Sequence, residues 1–274
     1  MTNRFIAAAI QMDSKDNKKE NLKAAAGLIE EAVFRGAGLV TMPEQMNYSG
    51  NDGAESAEDI PGGETFEFMA EQAKRHHIWL HCGSIYEKNP GDVRPFNTTM
   101  VISPEGELAA KYSKIHTFDV DIKDGPCVKE SDRVCPGSEI VTVDTQEVGC
   151  LGLSICYDMR FGEIYRLMAL RGAQILMVPA DFTLNTGKDH WDALLRARAI
   201  ENGCYVIAPA QCGIKPRFQA YGKSLIVDPW GNIIARASDK PCVITAEIDL
   251  DYLKSVRRQI LTLENRREDV YTLK

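Results

Sequence analysis

Two stretches of this chain repeat one another. Arg35-Gly36-Ala37-Gly38-Leu39-Val40-Thr41-Met42-Pro43 and Arg171-Gly172-Ala173-Gln174-Ile175-Leu176-Met177-Val178-Pro179 share an order: arginine, glycine, a run of apolar residues, then proline. Each apolar run has strand length and follows an amphipathic stretch, which itself follows another apolar run. Each copy therefore closes a strand–helix–strand unit. The first goes from Phe5 through a helix after Asn21 to Pro43, the second from Gly149 through a helix after Arg160 to Pro179. Strands joined by a crossover helix are parallel, and unbroken apolar runs mark strands buried on both faces. A third apolar run, 204–208, also stops at a proline, Pro209. Proline is poorly tolerated inside a buried sheet, so these prolines mark strand ends, and in α/β folds ligands collect just beyond such ends. Glu44 follows the first proline. Cys156 follows the strand that opens the second unit.

The rest of the chain fits this α/β pattern. Further strands are expected at 5–10, 39–42, 78–84, 98–102, 151–155, 175–178, 224–227 and 243–248, with helices at 21–34, 64–76, 160–170 and 188–201. No low-complexity linker divides the 274 residues, which are enough to bury a large core, so one domain over 1–274 is expected. A net charge of −7, with acids and bases interspersed, offers no basic stripe for nucleic-acid phosphates. The apolar run at the N-terminus is too short for a signal peptide or a membrane span. Neither nucleic acid nor membrane is expected as a partner. Eight cysteines in mostly apolar surroundings suggest a reducing cytoplasm rather than disulfides. With no C-x-x-C pair and five histidines, no metal site is expected.

Three residues stand out chemically. Cys156, in Gly152-Leu153-Ser154-Ile155-Cys156-Tyr157-Asp158-Met159-Arg160, sits between a strand and a helix. At a helix head the macrodipole lowers a thiol pKa and supplies thiolate near neutrality; the competing reading is a buried structural cysteine. Glu44, leaving a rigid strand into partly desolvated space, is suited to general-base work, although a solvated loop acid is the commoner role. Lys114 could stabilise an oxyanion, with Lys111 as an immediate rival and a surface lysine as the bland alternative. Spacing alone does not join the three.

Their surroundings do. Met42-Pro43-Glu44, then Lys111-Tyr112-Ser113-Lys114-Ile115-His116-Thr117-Phe118-Asp119, then Gly152 to Phe161 resemble, in order, the glutamate, lysine and cysteine motifs of the carbon–nitrogen hydrolase (nitrilase) superfamily. The family lysine precedes Ile-His, which singles out Lys114. Pro179-Ala180-Asp181-Phe182, Thr186-Gly187, His190-Trp191, the run from Leu195 to Asn202, and Val227-Asp228-Pro229-Trp230-Gly231 resemble the Nit subgroup, whose members include omega-amidases and amidases of deaminated glutathione. Two departures are acidic. Asp181 stands in a segment similar to Pro-Ser-Ala-Phe, and Asp189 precedes His-Trp where relatives carry a small residue, so both are expected near the pocket mouth.

The resemblance implies a four-layer α-β-β-α sandwich and a cofactor-free Cys thioester mechanism. Glu44 serves as base and acid, while Lys114 and the Tyr157 N–H hold the oxyanion. It also implies Glu130 as a second glutamate fixing Lys114, with Phe182 and Thr183 beside the substrate. His116 is taken as structural rather than as a base, and Trp191 and Trp230 as packing residues. The expected substrate is a small linear amide, with a carbamoyl amide or a nitrile on the same residues, or a non-catalytic metabolite-binding role, as alternatives. A homodimer or higher homo-oligomer is expected, with the tail at 251–274 reaching a partner.

Overall fold

The computed structural model describes residues 3–122 and 127–273. The first half runs β1 (Arg4–Gln11), α1 (Lys18–Phe34), β2 (Ala37–Thr41), α2 (Glu64–His76), β3 (Trp79–His81), β4 (Ile85–Glu87), β5 (Phe96–Ile102) and β6 (Leu108–Ser113). A small hairpin of β7 (Asp119–Asp121) and β8 (Cys127–Lys129) comes next. The second half runs β9 (Thr142–Asp144), β10 (Cys150–Leu153), α3 (Gly162–Leu170), β11 (Ile175–Met177), α4 (Leu184–Asn202), β12 (Tyr205–Ala208), β13 (Leu225–Val227), β14 (Ile233–Arg236), β15 (Cys242–Asp249) and α5 (Leu250–Gln259).

Both units heralded by the repeat are present. β1, β2 and β3 are parallel neighbours in a sheet ordered β15-β1-β2-β3-β5-β4, with β6 attached to β5. β10, β11 and β12 are parallel neighbours in a second sheet ordered β14-β13-β12-β11-β10-β9. β15 returns to the first sheet and pairs antiparallel along all of β1.

Side chains alternate across a strand, and β1 shows how this builds the layers. Ala7 and Ala9 join a core that contains Leu151 and Leu153 of β10, between the sheets. Ala8 and Ile10 face the other way, into a cluster with Leu22, Ala25 and Ile29 of α1 and Met69 of α2. On the outer face of the second sheet, α3 and α4 contribute Tyr165, Met168, Trp191 and Leu195. The result is the four-layer α-β-β-α sandwich. Burying each large aliphatic side chain in these layers contributes roughly 1.5–3 kcal/mol.

Several boundaries move for local reasons. α1 begins before residue 21 because the Asn17 side chain caps it, accepting from the Glu20 N–H at 3.2 Å. α4 begins before 188 because Gly187 is no breaker: it lies inside the helix, where a Cβ would come within 2.3 Å of the Tyr221 ring. The strand expected at 78–84 ends at His81, since Gly83 adopts φ +59 and passes under the Pro43 carbonyl, 1.9 Å from where a Cβ would be. The helix expected from 160 is two elements, a 3-10 turn at Cys156–Arg160 and then α3. Trp191 is buried, but Trp230 is 48% exposed and is not a core residue, because it sits at the β13–β14 turn that Asp228 organises. The first part of the tail is docked on its own chain: α5 buries Leu253 and Val256, and Arg257 donates to the carbonyls of Gly203 and Ala173. No helix among the described residues is long and apolar enough to cross a membrane.

Candidate active site

The carboxyl ends of the parallel strands in both sheets meet at one end of the sandwich. Glu44 leaves β2 through Met42 and Pro43, where Met42 N–H donates to His81 O at 2.9 Å and Ser84 N–H to Pro43 O at 3.3 Å. From the other sheet, Gln211, just beyond Pro209, donates its Nε2 to Glu44 O at 3.0 Å. Lys114 immediately follows β6, and the alternation of that strand settles its rivalry with Lys111. Tyr112 and Lys114 point inward and are buried, whereas Lys111 points outward and pairs with Glu87. Cys156 opens its turn with φ 49, an uncommon conformation for a residue with a Cβ, while its N–H donates to Pro179 O at 2.9 Å. Asp158, fully buried, pins that turn to the lysine segment by accepting from Ile155 N–H, Tyr112 Oη–H, and the backbone N–H and Nδ1 of His116. His116, stacked on Phe161 at 3.6 Å between centroids, is thereby committed to structure.

Glu44, Lys114 and Glu130 form one buried cluster. Glu44 Oε1 accepts from Lys114 Nζ at 3.2 Å and from Asn97 Nδ2 at 2.9 Å, while Oε2 accepts from the Asp181 backbone N–H at 2.7 Å. Lys114 Nζ reaches Glu130 as well, at 2.9 and 3.2 Å, and Glu130 also accepts from the Phe118 N–H. Burial disfavours the Lys114 charge, but Glu130, Glu44 and then Cys156 outweigh it and hold the ammonium well above the ordinary lysine pKa.

The expectation of a lowered thiol pKa is overturned. Burial first, then the neighbouring Glu44 carboxylate, push Cys156 well above the usual thiol range, with Lys114 pulling against them. A five-residue 3-10 turn is too short to supply the macrodipole that the expectation required. Burial and the Glu44 carboxylate therefore favour the protonated form of the Cys156 thiol.

These groups floor a cavity of about 510 Å³. Tyr157, Phe182 and Thr183 line it. The N–H of Tyr157 lies at the start of a 3-10 turn, where such groups have no carbonyl of their own turn to bond. Phe182 packs on Trp191 at 5.3 Å, and the Arg160 guanidinium lies 5.1 Å from its ring centre. The Thr183 hydroxyl exchanges a 3.0 Å hydrogen bond with Thr186. Asp181 lines the cavity, but Asp189 does not: it projects from the exposed face of α4, half a turn away from the buried side that Gly187 and Trp191 occupy. Among the described residues no group of His, Cys, Asp and Glu is arranged to hold a metal ion.

Asn97 and Asp158 escaped the sequence reading. Asn97 carried a faint signal, as a polar residue one position before the expected strand at 98–102 and on its inward face. Asp158 lay inside a motif already noted, but its partners Tyr112 and His116 lie in a different one, 46 and 42 positions away.

A family model described as carbon-nitrogen hydrolase matches residues 6–258. A deaminated glutathione amidase of a Synechocystis species is 45% identical over 96% of this chain and 98% of its own length. An omega-amidase of Mus musculus is 40% identical, covering 98% of this chain and 97% of its own. The crystal structure of the Caenorhabditis elegans NitFhit protein superimposes with a TM-score of 0.91 at 41% identity, over 99% of this chain and 67% of that one. Against that full nitrilase and fragile histidine triad fusion, this chain spans 63% of the length. With the family match running through nearly all of the sandwich and taking in all three strand ends that carry Glu44, Lys114 and Cys156, the chain belongs to the carbon–nitrogen hydrolase family.

Proposed function

We propose that this protein hydrolyses the C–N bond of a small linear amide through a thioester on Cys156. The observation that carries the reading is the buried Glu44 carboxylate, oriented by Lys114, Asn97 and the Asp181 N–H, beside a protonated thiol on the cavity floor. Glu44 takes the Cys156 proton as sulfur attacks the carbonyl carbon. Lys114 and the Tyr157 N–H receive the developing oxyanion. Glu44 then returns the proton to the departing nitrogen, and ammonia leaves. Water, deprotonated by Glu44, attacks the thioester; the acid is released and the proton returns to sulfur. Glu130 keeps the Lys114 ammonium fixed through both halves.

The names of the relatives favour an omega-amide of a dicarboxylic acid or a deaminated peptide as substrate. Assay of deaminated glutathione, α-ketoglutaramate and succinamate side by side, following ammonia and carbon dioxide, tests this. Ammonia without carbon dioxide is expected; release of both would mark carbamoyl cleavage and refute the amide reading.

We place the protein in the cytoplasm as a homodimer or higher homo-oligomer. Eight unpaired cysteines support the first part, and exposed Ile260, Leu261, Val270 and Tyr271 in the C-terminal segment support the second. Sedimentation at the mass of a single chain would refute the assembly.

A further inference from the structure

Lys215 is a buried cation with no role in the amidase scheme. Its side chain is 1% exposed, and its ammonium donates to Asp13 Oδ1 at 3.3 Å, Ser14 O at 3.0 Å and Gln211 Oε1 at 2.9 Å. An ammonium can only donate, and so can the Ser14 N–H, which meets the same Gln211 Oε1 at 2.9 Å. These two donors settle which way round the fully buried Gln211 amide lies. Its carbonyl faces Lys215 and Ser14, so its Nε2 faces Glu44 O at 3.0 Å and Ser14 Oγ at 2.9 Å. Turned over, the amide would set N–H against N–H and oxygen against oxygen, leaving buried polar groups unpaired.

The segment held by these contacts is strained. Gln45, directly after Glu44, has φ 54, which is uncommon for a residue with a Cβ and persists only where the surroundings impose it. The carbonyls on either side of it are both tied down. Gln211 holds Glu44 O, the Ser14 hydroxyl holds Met46 O at 2.9 Å, and the Gln45 N–H itself donates to Ser84 Oγ at 3.1 Å. Ser14 lies beyond β1 in the first sheet, whereas Gln211 and Lys215 lie beyond β12 in the second, so the clamp closes across both sheets where Glu44 leaves β2. The Glu44 carboxylate can meet Lys114, Asn97 and the Asp181 N–H only while its backbone stays in that place. We propose that Gln211, fixed in its orientation by Lys215, is a positioning residue for the Glu44 carboxylate, and that Lys215 serves the reaction through Gln211. This rests on the amidase reading and deepens it. During acylation Glu44 moves a proton twice, from the thiol and then to the nitrogen, so a misplaced carboxylate is felt most where the leaving group needs the second transfer.

The test compares succinamate with mono-p-nitrophenyl succinate, which give Cys156 the same acyl group. The amide needs both proton transfers, whereas p-nitrophenolate leaves without a proton. The readout is the ratio of amide to ester kcat/KM in the unmodified protein, Gln211→Met and Lys215→Met, with melting temperatures as the check on folding. Both variants are expected to lower the ratio about tenfold or more. Lys215→Met, which alters a loop between β12 and β13, carries the test where Gln211→Met does not fold. An unchanged ratio in a folded variant would overturn the proposal and leave the clamp a purely structural one. Failure of the unmodified protein to hydrolyse succinamate would instead overturn the amidase reading, and this proposal with it.

Discussion

Replacing Lys114 by methionine separates what the ammonium does for the fold from what it does for the reaction. The substitution preserves length and apolar stem but removes the one charge that Glu44 and Glu130 share, at 3.2 and 2.9 Å, in a site where the lysine side chain is 2% exposed. Breaking a buried ion pair by deleting one partner costs about 3–5 kcal/mol, because the remaining charge is left uncompensated. For a chain of this size that corresponds to a fall in Tm of roughly 6–15 °C. Activity falls as well. Loss of an oxyanion donor costs about 2.7–4 kcal/mol, or roughly a hundredfold to a thousandfold in kcat. Melting curves and ammonia release check the pair of outcomes. A Lys114→Met protein that keeps more than a tenth of the parent kcat would refute the reasoning.

Other outcomes follow from single contacts. Gly83→Ala forces a Cβ onto the Pro43 carbonyl and strains a positive φ, so it is expected to displace Glu44 and cut kcat more than it raises KM, measured in the same ammonia assay. Tyr112→Phe removes the 2.7 Å bond to buried Asp158 and should lower stability by about 1–3 kcal/mol in urea unfolding, while leaving the thioester chemistry in place. Asp181→Asn should raise Tm, with a sign fixed by proton linkage. The folded-state carboxyl, pushed up to about 7 by burial, binds a proton more tightly than the unfolded chain. Its contribution is thus lost as pH rises from about 4 to 7, and the gain from the substitution is greatest above pH 7, at most about 4 kcal/mol. A gain larger at pH 5 than at pH 8 would contradict the assignment.

How far the sequence reaches depends on the separation of the groups involved. The repeat closed by Pro43 and Pro179 revealed two parallel units, and with them the places of Glu44 and Cys156, because proline and strand length are local properties. Lys114 was legible only through the resemblance, although alternation along β6, with Tyr112 inward and Lys111 outward, carries the same answer once the strand is known. Strands β4, β7, β8, β9 and β14 went unread because each has only three or four residues and their pairing partners, rather than their own periodicity, keep them extended. The contacts that complete the site were out of reach. Asn97 meets Glu44 across 53 positions, and Tyr112 meets Asp158 across 46. The Cys156 pKa was read in the wrong direction for the same reason: the turn is local, but the burial and the carboxylate that govern the thiol come from the facing sheet.

The claim that Cys156 carries the acyl group is tested most directly by mass. Protein quenched in acid during turnover of a primary amide should show an adduct equal to the acyl group, mapping to Cys156 in peptide digests. Cys156→Ala should show neither adduct nor ammonia release. An adduct on another residue, or ammonia release by Cys156→Ala at the parent rate, would contradict the account.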